Sequence, residues 1–148
     1  NTTLAKQLAY YIVLYSPVQM ASDFIENYKD QPAFQFIKDV PVDWQTTKII
    51  NGEIGDFVTI ARKDKNSEDW YLGTITNENA RNLEVSMDFL DSEKEYVATI
   101  YRDRKDSDWK KNPNDIIIER KKLTKKENLV LELSSGGGAA LRIAPYNK

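Results

Sequence analysis

The side chains of this sequence that could do acid–base chemistry are its carboxylates. Neither histidine nor cysteine occurs among its 148 residues. Their absence removes Ser-His-Asp and Cys-His nucleophilic arrangements, zinc sites of the usual ligand types and disulfides. The densest carboxylate group is Asp103, Asp106, Asp108 and Asp115. It suggests a calcium loop at first sight, but the D-x-D-x-D-G frame and its terminal glutamate are missing, and it reads as a solvated acidic loop. Gly136-Gly137-Gly138 is followed by no Gly-Lys-Ser/Thr, so it reads as a tight connection rather than a phosphate cradle. Asn1-Thr2-Thr3 has the spacing of a glycosylation sequon and carries no function by itself.

The aromatic residues are the other group with chemical potential. Trp44, Trp70 and Trp109, with Tyr71, Tyr96 and Tyr101, could stack on pyranose faces and make the chain a carbohydrate-binding module. Aromatic rings are equally normal as core and cross-strand residues of a small sandwich, and Trp44 and Trp70 are read so. Trp109 lies in a polar loop between Asp108 and Lys110 and is expected to be the most exposed ring.

The elements that would position these residues change character along the chain. Thr2 and Thr3 are good N-cap types before a helix in which Leu4, Leu8, Ile12 and Tyr15 recur at helical spacing. Ala9, Tyr10, Val13 and Leu14 make the opposite side apolar too, which is the pattern of a helix covered almost all round. Ser16-Pro17 ends it. Val18–Phe24 reads as a short buried strand or extended segment, and Pro32 to about Val40 as a second helix with proline in its first turn. From about Lys48, with turn signals at Asn51-Gly52 and Gly55-Asp56, strands are expected at short intervals. They are Phe57–Arg62, Trp70–Thr76, Leu83–Met87, Tyr96–Arg102, Ile116–Arg120, Leu129–Leu133 and Ala139–Ile143. Seven or eight short antiparallel strands with turn-rich links predict a mainly-β, Greek-key-like β-sandwich, preceded by a helix–strand–helix segment. The domain division is placed at 1–46 and 47–148.

Charged residues make up 30% of the chain and the net charge is −2. That balance gives no electrostatic footprint for nucleic acid and no basic arm for an anionic membrane. The run Arg120, Lys121, Lys122, Lys125 and Lys126, bracketed by Glu119 and Glu127, reads as a solvated strand face. The longest apolar run, Leu8–Tyr15, falls far short of the roughly 20 residues a membrane span needs and lacks the flanks of a signal peptide. A helix apolar on every side needs cover that one β-sandwich does not supply. The cover could be a larger domain upstream, or a partner facing the helix in a dimer. Leu4–Phe24 is accordingly expected to pack on the sandwich in a non-barrel arrangement or to bury itself in a dimer.

The residues also carry a resemblance. Leu4-Ala5-Lys6-Gln7-Leu8-Ala9, Leu14-Tyr15-Ser16-Pro17, Gln19-Met20-Ala21, Asp23, Glu26-Asn27-Tyr28, Ala33–Pro41 and Asp43-Trp44 resemble glycoside hydrolase family 97. Asn51–Asp56, Val58–Lys63 and Trp70-Tyr71 resemble the start of that family's C-terminal domain. The likeness is strongest over the first hundred residues and weaker after Asp103. It implies a C-terminal piece of a bacterial α-glucosidase or α-galactosidase, periplasmic or exported, with an N-terminal supersandwich, a (β/α)8 barrel and a C-terminal β-domain associated with oligomerisation. On this likeness Thr3–Tyr15 corresponds to the seventh barrel helix, Pro17–Asp23 to the eighth strand and Pro32–Val40 to the eighth helix.

Glycoside hydrolysis needs two carboxyl groups flanking the scissile bond, roughly 5 to 10 Å apart. The resemblance puts those groups, and the glutamates that hold a calcium ion, upstream of Asn1. No catalytic, metal or cofactor residue is therefore assigned to this chain. The implied partners are the rest of the glycosidase, a second copy in a homo-oligomer and, through the whole enzyme, an oligosaccharide. Because such barrels open at the C-terminal ends of their strands, Ser22 and Asp23 would lie near the mouth. Asp23 could act there, or could cap a turn or pair with a neighbouring helix.

Overall fold

The computed structural model of the chain describes residues 2–21 and 24–146. Period-two patterning sets the thinner layer. In β7 (Asn128–Leu133) every second residue, Leu129, Leu131 and Leu133, is buried and the others are exposed. β4 (Arg81–Ser86) buries Leu83 and Val85 and pairs antiparallel with β7, Leu83 opposite Leu131. The facing layer has six strands, β1 (Trp44–Glu53), β2 (Phe57–Asp64), β3 (Trp70–Thr76), β5 (Tyr96–Asp103), β6 (Ile116–Leu123) and β8 (Gly138–Pro145). They lie in the order β1-β2-β3-β8-β5-β6, every pairing antiparallel. The chain crosses to the small sheet for β4 and again for β7, and its return sets β8 between β3 and β5. This is the expected antiparallel sandwich. Its core holds Leu72, Met87, Leu90, Ile100, Leu123, Leu131, Leu141 and Ile143.

The outer face of the large sheet is covered as well. Helix α1 (Leu4–Val13) starts at Thr3, whose Oγ1 accepts from the Lys6 N–H at 3.2 Å. It buries Ala5, Leu8, Ala9 and Ile12, one stripe at helical spacing. A short helix α2 (Ile25–Tyr28) precedes α3 (Phe34–Asp39), whose Phe36 is fully buried. Leu8, Ile12, Phe36, Val40, Tyr71, Tyr101 and Ala140 form this second core. Two glycines allow the close seating of α1: a Cβ on Gly73 would lie 2.8 Å from the Ala9 carbonyl, and one on Gly138 2.8 Å from the Lys6 Cα. Covered on both faces, β3 and β8 read as near-continuous buried runs.

Four expectations are revised. The strand expected at Val18–Phe24 is not formed by its described residues, and Val18, Met20 and Phe24 are 68%, 81% and 78% exposed. A lone strand cannot satisfy its backbone without a neighbour, and no strand among the described residues pairs with it. The helix expected from Pro32 begins at Phe34. A ten-residue strand, β1, starts at Trp44 and contains Asn51-Gly52; it runs across the 46/47 division. The β1–β2 turn is made instead at Ile54-Gly55-Asp56, with Gly55 at φ 84° and the Asp56 N–H donating to the Glu53 carbonyl at 3.0 Å. Lastly, Asp103 is buried rather than solvated, at 1% exposure.

Candidate functional site

Three polar clamps hold the helical layer to the sandwich. At the C-terminal end of α1, Arg62 Nε donates to the Ile12 carbonyl at 2.6 Å and Nη1 to Thr47 Oγ1 at 2.9 Å. Ile12 belongs to the last turn, where carbonyls lack helical donors and a cation is favoured. The guanidinium also lies 5.4 Å from the Tyr15 ring centre and 5.9 Å from that of Trp44. Burial pushes the Arg62 pKa down, yet two hydrogen bonds and two ring faces compensate the charge.

At the end of α3, Arg142 bridges two carboxylates, Nη1 to Asp39 at 2.9 Å and Nε to Asp69 at 2.8 Å. Burial alone would lower Arg142, but the Asp69 hydrogen bond and the charges of Tyr71, Asp69 and Asp39 raise it. Tyr71 donates its hydroxyl to the Asp39 carbonyl at 2.9 Å, and its own pKa is raised, first by burial. At the start of α1, Asp103 Oδ2 accepts from the Ser134 N–H at 3.2 Å and the Gly138 N–H at 3.0 Å. Burial raises the Asp103 pKa, while hydrogen bonds from Thr3, Gly138 and Ser134 work against that rise. Nearby, Lys6 Nζ donates to the Thr76 carbonyl at 2.6 Å. Gly137 lies so close to this carboxylate that a Cβ there would overlap Oδ2.

Two apolar surfaces lie outside these clamps. One is the stretch after α1, where Leu14, Tyr15, Val18, Met20 and Phe24 are exposed. The other is the β1–β2 hairpin, where Ile49 and Ile54 are exposed beside a groove of about 510 Å³. Ser22 and Asp23 lie outside the described residues. The other acidic residues singled out from the sequence hold their own loop: Asp108 accepts from the Lys110 N–H at 2.8 Å and Asp115 from Asn112 at 3.2 Å. No group of three His, Cys, Asp or Glu side chains fit for a metal ion occurs among the described residues. Of the carboxylates beside the cavities, Asp56 pairs with Arg81 at 2.7 Å and Asp39 with Arg142.

The aromatic residues do not assemble a flat platform. Trp70 packs against Phe89 in the core at 4.9 Å, and Trp44 meets Tyr71 edge-on at 5.7 Å. Trp109 is half-buried over Gly136, whose added Cβ would lie 2.9 Å from its ring, and Lys110 covers it at 4.7 Å. These contacts make the rings packing elements and leave the two apolar surfaces and the clamped helices as the candidate site.

Residues 43–144 match the family described as glycosyl-hydrolase 97 C-terminal, oligomerisation. The chain belongs to this family. Over 142 residues, 95% of its length, this family 97 chain is 34% identical to a retaining alpha-galactosidase of Bacteroides thetaiotaomicron, of which it spans 21%. A glycoside hydrolase family 97 enzyme from Pseudoalteromonas sp. strain K8, solved in complex with acarbose, matches 99% of the chain at 49% identity and a TM-score of 0.95. The chain covers 23% of that protein. A beta-arabinopyranosidase matches 96% of it at 25% identity and a TM-score of 0.78. Sequence reasoning found the family 97 likeness but missed the clamps, because Arg62, Asp103 and Arg142 stand among ordinary strand residues. The only sequence hint was a charged residue at an apolar position of a strand, as Arg142 is between Leu141 and Ile143.

Proposed function

We propose that this chain is the non-catalytic C-terminal structural and oligomerisation segment of an enzyme that hydrolyses α-glycosidic bonds of oligosaccharides. The observation that carries this reading is the match to family 97 enzymes over nearly all of this chain and under a quarter of theirs. The catalytic carboxylates, and the glutamates for calcium, belong on this reading to the remaining part of such an enzyme, in a bacterial periplasmic or exported protein. What this chain contributes is mechanical. The sandwich holds α1 and α3 through Arg62, Arg142 and Asp103, and Leu14, Tyr15, Val18, Met20 and Phe24 remain exposed beside them. A barrel packed against the free side of α1 would bury Leu14, Tyr15 and Met20, and the same clamps would then fix its last elements.

Light scattering coupled to size exclusion, with hydrolysis of p-nitrophenyl α-glucoside and α-galactoside assayed on the same peak, tests the reading. The expected result is an inactive oligomer. Turnover by the peak would overturn the non-catalytic assignment, and a monomer at every concentration would overturn the assembly role.

A further inference from the structure

The segment matched as oligomerising, residues 43–144, contains β1–β8 and leaves out α1 to α3. An assembly surface built by that segment therefore excludes the exposed Leu14, Tyr15, Val18, Met20 and Phe24. The six-stranded sheet has two edges, β1 and β6. An open edge invites another strand, and proteins commonly block it with lysine. The β6 edge carries Arg120, Lys121 and Lys122, all exposed, followed by Lys125 and Lys126. Two copies of that edge would repel. The β1 edge has no such guard: over ten residues it holds one cation, Lys48, and one anion, Glu53.

The arrangement of β1 is self-complementary. Lys48 pairs with Ala61 and Glu53 with Phe57 in the β1–β2 register, and both partners pack toward the inner core. The irregularity between Ile49 and Asn51 is what brings Lys48 and Glu53 to one face despite their odd spacing. Both are exposed, and neither takes part in an ion pair among the described residues. Ile49 is 74% exposed and Ile54 fully so, beside the groove formed by Phe57, Val58 and Ile75. A two-fold axis makes each residue's contact reciprocal. On this edge it sets opposite charges against each other twice and places Ile49 at the joint.

We propose that a second copy of this chain docks along the β1 edge, its β1 antiparallel to the first, with each Lys48 facing the other copy's Glu53 and Ile49 set against the other copy's Gly52 at the rim of its groove. This rests on the assembly role proposed above. Sedimentation velocity on the whole chain over a concentration series tests it, with circular dichroism confirming that each variant is folded. Lys48→Glu should weaken self-association at least ~30-fold, as expected for a central interface residue, and adding Glu53→Lys to it should restore association. Ile49→Asp should give monomers, while Leu14→Asp combined with Met20→Asp should leave the dimer intact. If the wild type dimerises but the charge reversals and Ile49→Asp leave it unchanged, the β1 edge is wrong and the assembly role stands. Loss of the dimer only in the Leu14 and Met20 variant would also overturn the edge assignment. A wild type that is monomeric throughout would overturn the assembly role itself.

Discussion

Arg62 offers the sharpest test of how the helices are held, because its charge is compensated without a carboxylate. Its two hydrogen bonds, at 2.6 and 2.9 Å, each contribute about 1.5–3 kcal/mol for an ionised donor. The Tyr15 and Trp44 rings at 5.4 and 5.9 Å add roughly 0.5–1 kcal/mol each. Against these stands a desolvation cost of several kcal/mol for a cation that is only 6% exposed. Arg62→Met keeps much of the packing and removes that cost, but leaves the Ile12 carbonyl without its donor, for a net loss of about 1–2 kcal/mol. Arg62→Lys keeps the buried charge and loses the fork and the stacking, and should lose about 3 kcal/mol. The order, lysine worse than methionine, is the informative outcome. Urea unfolding followed by tryptophan fluorescence, with Trp44 beside the site, measures both variants. If lysine is tolerated better than methionine, attraction of a cation to the helix end outweighs the cost of burying it, and the fork and ring contacts are not what hold α1.

Asp103 gives a pH signature. A carboxyl whose pKa is raised on folding contributes stability that is fully present below the unfolded value of about 3.9 and is lost as pH rises through the folded value. Asp103→Asn should therefore gain on the wild type in urea midpoint as pH rises above about 4, and parallel profiles would contradict the burial assigned to this group. Gly73→Val places side-chain atoms where even a Cβ lies 2.8 Å from the Ala9 carbonyl and 3.0 Å from Ile12 Cβ. Displacing α1 should cost about 2–3 kcal/mol by overpacking, whereas unchanged thermal stability would mean that the helix does not sit on β3 as described.

Much of this architecture was legible residue by residue. Alternation in Leu129, Leu131 and Leu133 and in Leu83 and Val85 marked β7 and β4, and the buried runs at Trp70–Thr76 and Ala139–Ile143 marked the central strands. The lack of histidine and cysteine narrowed the chemistry independently of any fold, and the family likeness lay in contiguous motifs. β1 escaped because most of its ten residues are polar and exposed, and because Asn51-Gly52, ordinarily a turn signal, is held in the strand by pairing of Gly52 with Val58. The strand expected at Val18–Phe24 did not form for the opposite reason. Val18–Phe24 has the apolar content of a strand but no neighbour among the described residues to take its backbone hydrogen bonds.

What the sequence determined by itself was local. It set the period of each element, the caps and turns, the charge balance and the kinds of side chain available. What the tertiary structure decided was which distant residues share a clamp. Arg62 and Ile12 are 50 residues apart, Arg142 and Asp39 103 apart, and Asp103 and Gly138 35 apart. Periodicity reports only whether a position faces a core. Whether a charged group there is stranded or satisfied depends on the carbonyls, carboxylates and amide groups that other elements bring to it. That partnership forms only when β8 closes between β3 and β5 and α1 settles on the sheet.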